Sequence, residues 1–109
     1  MDYVNDFFKF IRNENKNMFV VPHIITKDGT TLSVQASSGH YCSPRTNNVD
    51  KYTQVEVFCF NEDLLIFAKD YHTSDDDPLA YVPVEIINEY IGVHGGIDYD
   101  KYKTTLDTY

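Results

Sequence analysis

A short segment of the chain offers the chemistry of a binding site for an anionic ligand that carries a ring. An arginine brings a permanent charge with forked donors suited to phosphate or carboxylate. Hydroxyl groups can share such an anion, a histidine can donate or accept a hydrogen bond, and a tyrosine ring can stack on a base. A nucleotide fits this combination. The residues are Gln35, Ser37, His40, Tyr41, Ser43 and Arg45.

The same segment can also be interpreted as an ordinary surface loop. Arg45 would then pair with an acid such as Asp50, His40 would be exposed, and Cys42 would be buried as a small apolar residue. Loops carry function more often than other segments, although most loop residues do not. The sequence leaves both interpretations open.

Catalysis is not indicated by these residues, and we predict that the protein is not an enzyme. Cys42 would need His40 or another histidine as its base, but two positions along one loop give poor geometry for the pair with His40, and no oxyanion motif accompanies it. The histidines and cysteines follow no ligand spacing typical of metal sites, so we expect no metal and no cofactor. The residues considered as ligands are His23, His40, Cys42, Cys59, His72 and His94.

Composition limits the classes of partner. The 109 residues predict one domain spanning 1–109, and the net charge of −8, from 17 acidic and 9 basic residues, opposes direct binding to nucleic acid or to an anionic membrane. The acidic surface either confers solubility or faces a basic protein. The two cysteines, a start without a signal peptide, and the lack of an apolar run of about 20 residues predict a reduced, cytoplasmic protein.

The elements around this segment are predicted from apolar periodicity and turn residues. Residues 2–14 form an amphipathic helix with apolar residues at three- and four-residue spacing. Residues 18–27 and 31–37 form two strands, joined by an Asp-Gly hairpin turn over 27–30. Residues 38–51 are the longest loop, and it contains most of the candidate site.

The second half of the chain returns to the sheet and ends in a helix. Residues 52–60 alternate as a strand, residues 79–82 form a shorter one, and residues 62–68 fit either a helix or a strand. Pro83 opens the last helix, and Gly95-Gly96 ends it. The predicted class is α+β, an antiparallel sheet of about four strands with an N-terminal and a C-terminal helix packed on one face.

Two pairs of segments also carry a resemblance. Thr31–Ser37 followed by His40–Arg45 resembles a stretch in small uncharacterised proteins of phages and prophages of Gram-positive bacteria. Those proteins also tend to carry segments similar to Tyr81–Glu85 and His94–Ile97. Small acidic phage proteins are often counter-defence factors, among them anti-CRISPR proteins and sponges that sequester nucleotide signals. The resemblance therefore implies a counter-defence context, by analogy of class.

The leading hypothesis is a non-enzymatic counter-defence protein of phage type that captures a nucleotide-like anionic signal in the host cytoplasm. The alternative is an acidic protein inhibitor that blocks the basic site of a host defence nuclease, as anti-CRISPR proteins do. Association into a homo-oligomer is compatible with either hypothesis. The sequence identifies neither the ligand nor the partner.

Overall fold

A computed structural model describes residues 1–14, 19–47, 49–58, 62–71 and 78–102. In this part of the chain four strands form one antiparallel sheet, ordered β1-β2-β3-β4, which confirms the predicted α+β class. The elements are α1 (Tyr3–Glu14), β1 (Ile24–Ile25), β2 (Thr31–Gln35), β3 (Gln54–Phe58), α2 (Glu62–Phe67), a 3-10 turn (Lys69–Tyr71), β4 (Leu79–Pro83) and α3 (Val84–Val93).

The central strands bury one set of alternating side chains. Leu32 and Val34 of β2, and Val55 and Val57 of β3, are almost completely buried. Neighbouring residues on β3 are half-buried or exposed, as the predicted period of two requires. The predicted strand over 52–60 is thus confirmed in its middle, while residues 59–60 lie outside the described part.

Both terminal helices supply apolar residues to the core. The two helices are tied together by the Val4 N–H, which donates to Asn88 Oδ1 at 2.9 Å. Packing of both on a single face of the sheet stays a prediction. In the described residues no helix is long and apolar enough to cross a membrane. The buried helical side chains are Val4, Phe7, Phe8 and Ile11 of α1 and Val84, Ile87, Tyr90 and Ile91 of α3.

The predicted strand over 18–27 is shorter than expected in its described part, since Ile24–Ile25 pairs with β2 while residues 19–23 do not. Two local causes account for the difference. Pro22 has no N–H to donate to a ladder. The Val21 N–H donates to Gln35 Oε1 and the Val21 carbonyl accepts from Gln35 Nε2, so neither backbone group pairs with a strand.

Residues 62–68, which fit either a helix or a strand, contain the short helix α2. The Asp63 side chain accepts the Leu64 N–H at 2.9 Å, so an otherwise unpaired donor of the first turn is satisfied. Leu64 is the residue of α2 that is buried.

The last helix ends as predicted, and the chain then returns to the sheet. Gly95 and Gly96 have φ angles of 94° and 87°, a conformation that glycine adopts without a steric penalty. Beyond them, the hydroxyl of the buried Tyr102 accepts the Ile25 N–H at 2.6 Å and donates to the His23 carbonyl at 2.5 Å. The segment 97–102 therefore covers the open edge of β1.

Candidate functional site

The loop between β2 and β3 lies against the end of the sheet. It contains a cis peptide bond at Ser43-Pro44. The Ser43 N–H donates to the Gln54 carbonyl at 3.0 Å, and the Ser43 carbonyl accepts the Thr53 N–H at 2.8 Å. Ser43 therefore contributes its backbone to the fold, and the residue is half-buried.

Gln35 is a structural residue rather than a free ligand contact. Its side chain is 8% exposed, and its amide pairs with both backbone groups of Val21 at 2.9 Å. A third hydrogen bond, 3.0 Å long, goes to Ser33 Oγ. The predicted ligand role is therefore unsupported, because binding a ligand would break hydrogen bonds that satisfy buried backbone groups.

Ser37 and His40 are also engaged inside the loop. Ser37 is buried, and its Oγ lies 2.5 Å from His40 Nδ1 and accepts the Gly39 N–H at 3.1 Å. Burial lowers the pKa of His40, with the nearby Glu56 acting against this shift. The Phe19 ring, with its centroid 5.1 Å from that of His40, covers part of the imidazole.

Cys42 is buried, as the ordinary-loop interpretation predicted. Its thiol donates to the Ser37 carbonyl at 3.1 Å, and burial raises the pKa of the thiol. A raised pKa lowers the thiolate fraction, so Cys42 is a poor nucleophile. His40 Nδ1 meanwhile faces Ser37, which is not the arrangement of a cysteine activated by a base.

Tyr41 and Arg45 are the two predicted site residues that stay exposed with their functional groups available. The Tyr41 side chain is 46% exposed, and Arg45 is exposed beside it. The guanidinium carbon lies 5.2 Å from the Tyr41 ring centroid, within the range of a cation–π contact. The predicted pairing of Arg45 with Asp50 in the ordinary-loop interpretation does not appear among the described contacts.

Tyr81 of β4 extends this surface. Its ring is 41% exposed, with its centroid 6.0 Å from that of Tyr41 and the two planes inclined at 47°. Its N–H donates to the Tyr41 carbonyl at 3.1 Å. We call the exposed surface formed by Tyr41, Arg45 and Tyr81 the tyrosine–arginine surface.

Glu56 contacts the backbone of the tyrosine–arginine surface. It lies on the outer side of β3, and its Oε2 accepts the Tyr41 N–H at 3.2 Å. Glu56 is not among the site residues predicted from the sequence, although its alternation with Val55 and Val57 on β3 indicates an outward-facing side chain. Its proximity to the loop follows from the fold rather than from the sequence pattern.

A second polar cluster joins three parts of the chain around His94, which follows α3. His94 Nδ1 lies 2.5 Å from Asp28 Oδ2 and His94 Nε2 lies 2.9 Å from Asp63 Oδ2. Thr30 Oγ1 is a further neighbour of Nδ1, at 3.1 Å, and the Tyr90 hydroxyl donates to Asp63 Oδ1 at 2.9 Å. The cluster links the hairpin turn, α2 and α3.

The electrostatics of this cluster favour a charged imidazole. The hydrogen bond to Asp28, aided by that to Asp63, raises the pKa of His94 against the effect of burial. The pKa of Asp28 is well below its usual value because the Thr26 hydroxyl and then His94 donate to it. Burial acts to raise the pKa of Asp63, but hydrogen bonds from Tyr90 and His94 outweigh it, so this pKa is lowered.

Within the described residues, no group of three or more histidine, cysteine, aspartate or glutamate side chains could hold a metal ion. Of the residues considered as ligands from the sequence, Cys59 and His72 lie outside that part of the chain. Both ring nitrogens of His94 form hydrogen bonds with carboxylates, and His40 Nδ1 forms one with Ser37 Oγ.

Comparisons with known proteins give no family model, no curated protein and no solved structure that matches this chain.

Proposed function

We propose that this protein is a non-enzymatic binding protein that sequesters a nucleotide-like anionic ligand at the tyrosine–arginine surface. One observation carries the proposal: a permanently charged guanidinium lies against an exposed tyrosine, with a second exposed tyrosine ring beside it. A fixed cation next to open aromatic faces is how proteins bind the phosphate and the base of one nucleotide without catalysis.

The geometry suggests how the ligand lies. The rings of Tyr41 and Tyr81 are inclined at 47°, so a base stacks on the outer face of one ring rather than between the two. Stacking of a base on an aromatic side chain contributes about 1–3 kcal/mol. Arg45 then donates to the phosphate, whereas Gln35 and Ser37 act indirectly by holding the loop.

The biological role that we propose is counter-defence. Its support is the resemblance of Thr31–Ser37 and His40–Arg45 to segments of small phage and prophage proteins. The same segments contain the tyrosine and the arginine of the exposed surface. Capture of a nucleotide signal of bacterial immunity, with release of the intact ligand on denaturation, would need no catalytic group.

Calorimetry and melting curves with ADP-ribose and cyclic dinucleotides test the proposal. Arg45→Ala should weaken binding by about 1.5–3 kcal/mol, the worth of a hydrogen bond to a charged group, while leaving stability within about 0.5 kcal/mol. Arg45→Lys should restore part of the affinity, because lysine keeps the charge but lacks the fork. Lys9→Ala, which removes an exposed cation from α1, is the matched control.

Two results would contradict this proposal. The first is a wild-type protein whose melting temperature no ligand of the panel raises. The second is equal affinity of the wild type and Arg45→Ala for a ligand that does bind, which would place the site elsewhere on the protein.

A second candidate, an acidic inhibitor of a host defence nuclease, is favoured by a different observation. Phe19 is 47% exposed, and its ring lies against His40, the neighbour of Tyr41 in the chain, so the loop carries further exposed aromatic area. Exposed tyrosine and arginine are the residue types enriched at protein interfaces, and the net charge of −8 suits a basic partner.

Binding to a purified nuclease should then weaken steeply above about 0.15 M salt, where the Debye length is about 8 Å. Salt-independent binding would exclude the role of the acidic surface.

A further inference from the structure

We propose that Tyr81 and Glu56 complete this site, with Tyr81 as the stacking surface for the base and Glu56 as the acceptor for ribose hydroxyls. The ligand class is then a ribonucleotide rather than a bare polyphosphate. This inference rests on the proposed function and specifies its ligand. Neither residue belongs to the set predicted from the sequence.

Tyr81 lies at an irregularity in the pairing of β3 with β4. Val55 pairs with Val82 and Val57 pairs with Leu79, so the single residue Glu56 lies opposite two residues of β4. This two-against-one arrangement is a β-bulge, a feature that redirects a side chain and is frequent beside functional sites. The two residues of β4 opposite Glu56 are Ala80 and Tyr81.

The backbone of Tyr81 adopts a conformation that its side chain disfavours. Its φ angle is 53°, in the left-handed region where a bulky residue is rare and glycine or asparagine fits better. Such strain persists only where surrounding contacts impose it, and it is common at ligand-binding positions. Here the conformation leaves the ring 41% exposed next to Tyr41 instead of in the core, although burial would stabilise the fold more.

Glu56 lies opposite that bulge and is already oriented toward the loop. Its Oε2 accepts the Tyr41 N–H at 3.2 Å, and no described contact occupies Oε1. A carboxylate at this position would repel a bare phosphate, but it is a good acceptor for hydroxyl groups of a ribose. It therefore fits a ligand with hydroxyls near the stacked ring and phosphate farther away.

The two charges beside the rings are of opposite sign. The Arg45 guanidinium lies over the Tyr41 ring, and Glu56 Oε2 accepts the Tyr41 N–H, so both charges contact Tyr41. A site with one cation and one carboxylate favours a ligand that carries both an anion and neutral hydroxyls. Inorganic pyrophosphate offers the anion alone.

The experiment compares ADP-ribose with inorganic pyrophosphate by calorimetry in the wild type and in three variants. Tyr81→Gly removes the ring and suits the positive φ angle, so it should lower ADP-ribose affinity about ten-fold, the loss expected for one stacked base, while the melting temperature holds or rises.

Glu56→Gln keeps an acceptor for the Tyr41 N–H, but removes the charge. It should reduce the ADP-ribose to pyrophosphate affinity ratio by about ten-fold, since hydrogen bonds to a carboxylate weaken and repulsion of pyrophosphate disappears. Glu85→Gln on the exposed side of α3 is the control and should leave the ratio unchanged.

The outcomes separate this inference from the proposed function. If no nucleotide of the panel binds the wild type, both are overturned. If ADP-ribose binds and Arg45→Ala weakens it, but Tyr81→Gly binds normally and Glu56→Gln keeps the ratio, only the roles of Tyr81 and Glu56 are refuted. If Tyr81→Gly fails to fold, Tyr81→Asn, which also tolerates the left-handed region, gives the same test of affinity.

Discussion

His94 should stabilise the fold in its charged form, most strongly at mildly acid pH. Both ring nitrogens face carboxylate oxygens, of Asp28 and Asp63, so both must donate and the imidazole must carry its proton. Its pKa is raised above the usual 6.5, so its contribution is complete below about pH 6.5 and is lost as the pH rises through the raised pKa. The two carboxyl groups have lowered pKa values, so their contribution is present above pH 3.8 and is lost as the pH falls through those values.

The size of the effect follows from the position of the ring. The His94 side chain is 16% exposed and caps the C-terminal end of α3, where a partly buried imidazolium stabilises a protein by up to about 2 kcal/mol. The carboxylates are about half exposed, so water and salt screen their attraction. We therefore expect His94→Gln to cost about 1–2 kcal/mol at pH 5.5, or roughly 4–12 °C in melting temperature for a protein of this size.

Urea and thermal denaturation at pH 5.5 and pH 9 measure this effect. The difference in unfolding free energy between wild type and His94→Gln should be largest at pH 5.5 and should shrink at pH 9, where the histidine has lost its charge. His23→Gln, which changes an exposed histidine outside the cluster, is the matched control. A difference that is equal at the two pH values, or larger at pH 9, would refute the charged-histidine argument.

Two further predictions concern buried residues at the end of β2 and in the loop that follows it. Gln35→Ala should destabilise the protein by about 2–4 kcal/mol in urea denaturation, because it leaves the buried N–H and carbonyl of Val21 without partners; a loss below about 0.5 kcal/mol would show that water replaces the amide easily. Cys42→Ser should keep the fold and ligand binding, since the hydroxyl can still donate to the Ser37 carbonyl. Loss of function with an intact circular dichroism spectrum would instead indicate a reactive thiol.

The fold was predictable wherever one face of an element is buried. The period of two on β3 and the apolar stripe on α1 follow from burial alone, and both appear in the structure. Glycines at 95 and 96 end α3 because few other residues adopt their φ angles readily. The strand over 18–27 was predicted too long because a run of apolar residues indicates burial, but does not reveal that Gln35 binds the backbone of Val21.

The site was predictable only in part, for a related reason. Residue types give the chemistry that a side chain can do, but not whether another group of the protein already uses it. Tyr41 and Arg45 keep their functional groups exposed, whereas Ser37 Oγ is engaged by His40 and Gly39. Tyr81 is far from the loop in sequence, and only the β-bulge opposite Glu56 brings its ring beside Tyr41.

The N-terminal helix explains why this loop can carry exposed rings without collapsing onto the sheet. Asn5 on α1 is buried and pairs with both backbone groups of Tyr52, at 2.8 and 3.0 Å, where the loop returns to β3. Arg12, one face of which lies over Phe8, donates to the Ala36 carbonyl at 2.7 Å, where the loop leaves β2. Polar residues of an amphipathic helix usually indicate a solvated face, but these two hold the two ends of the loop. Because its ends are fixed by α1, the loop can present Tyr41 and Arg45 to solvent, and the rigidity lowers the entropy lost when a ligand binds.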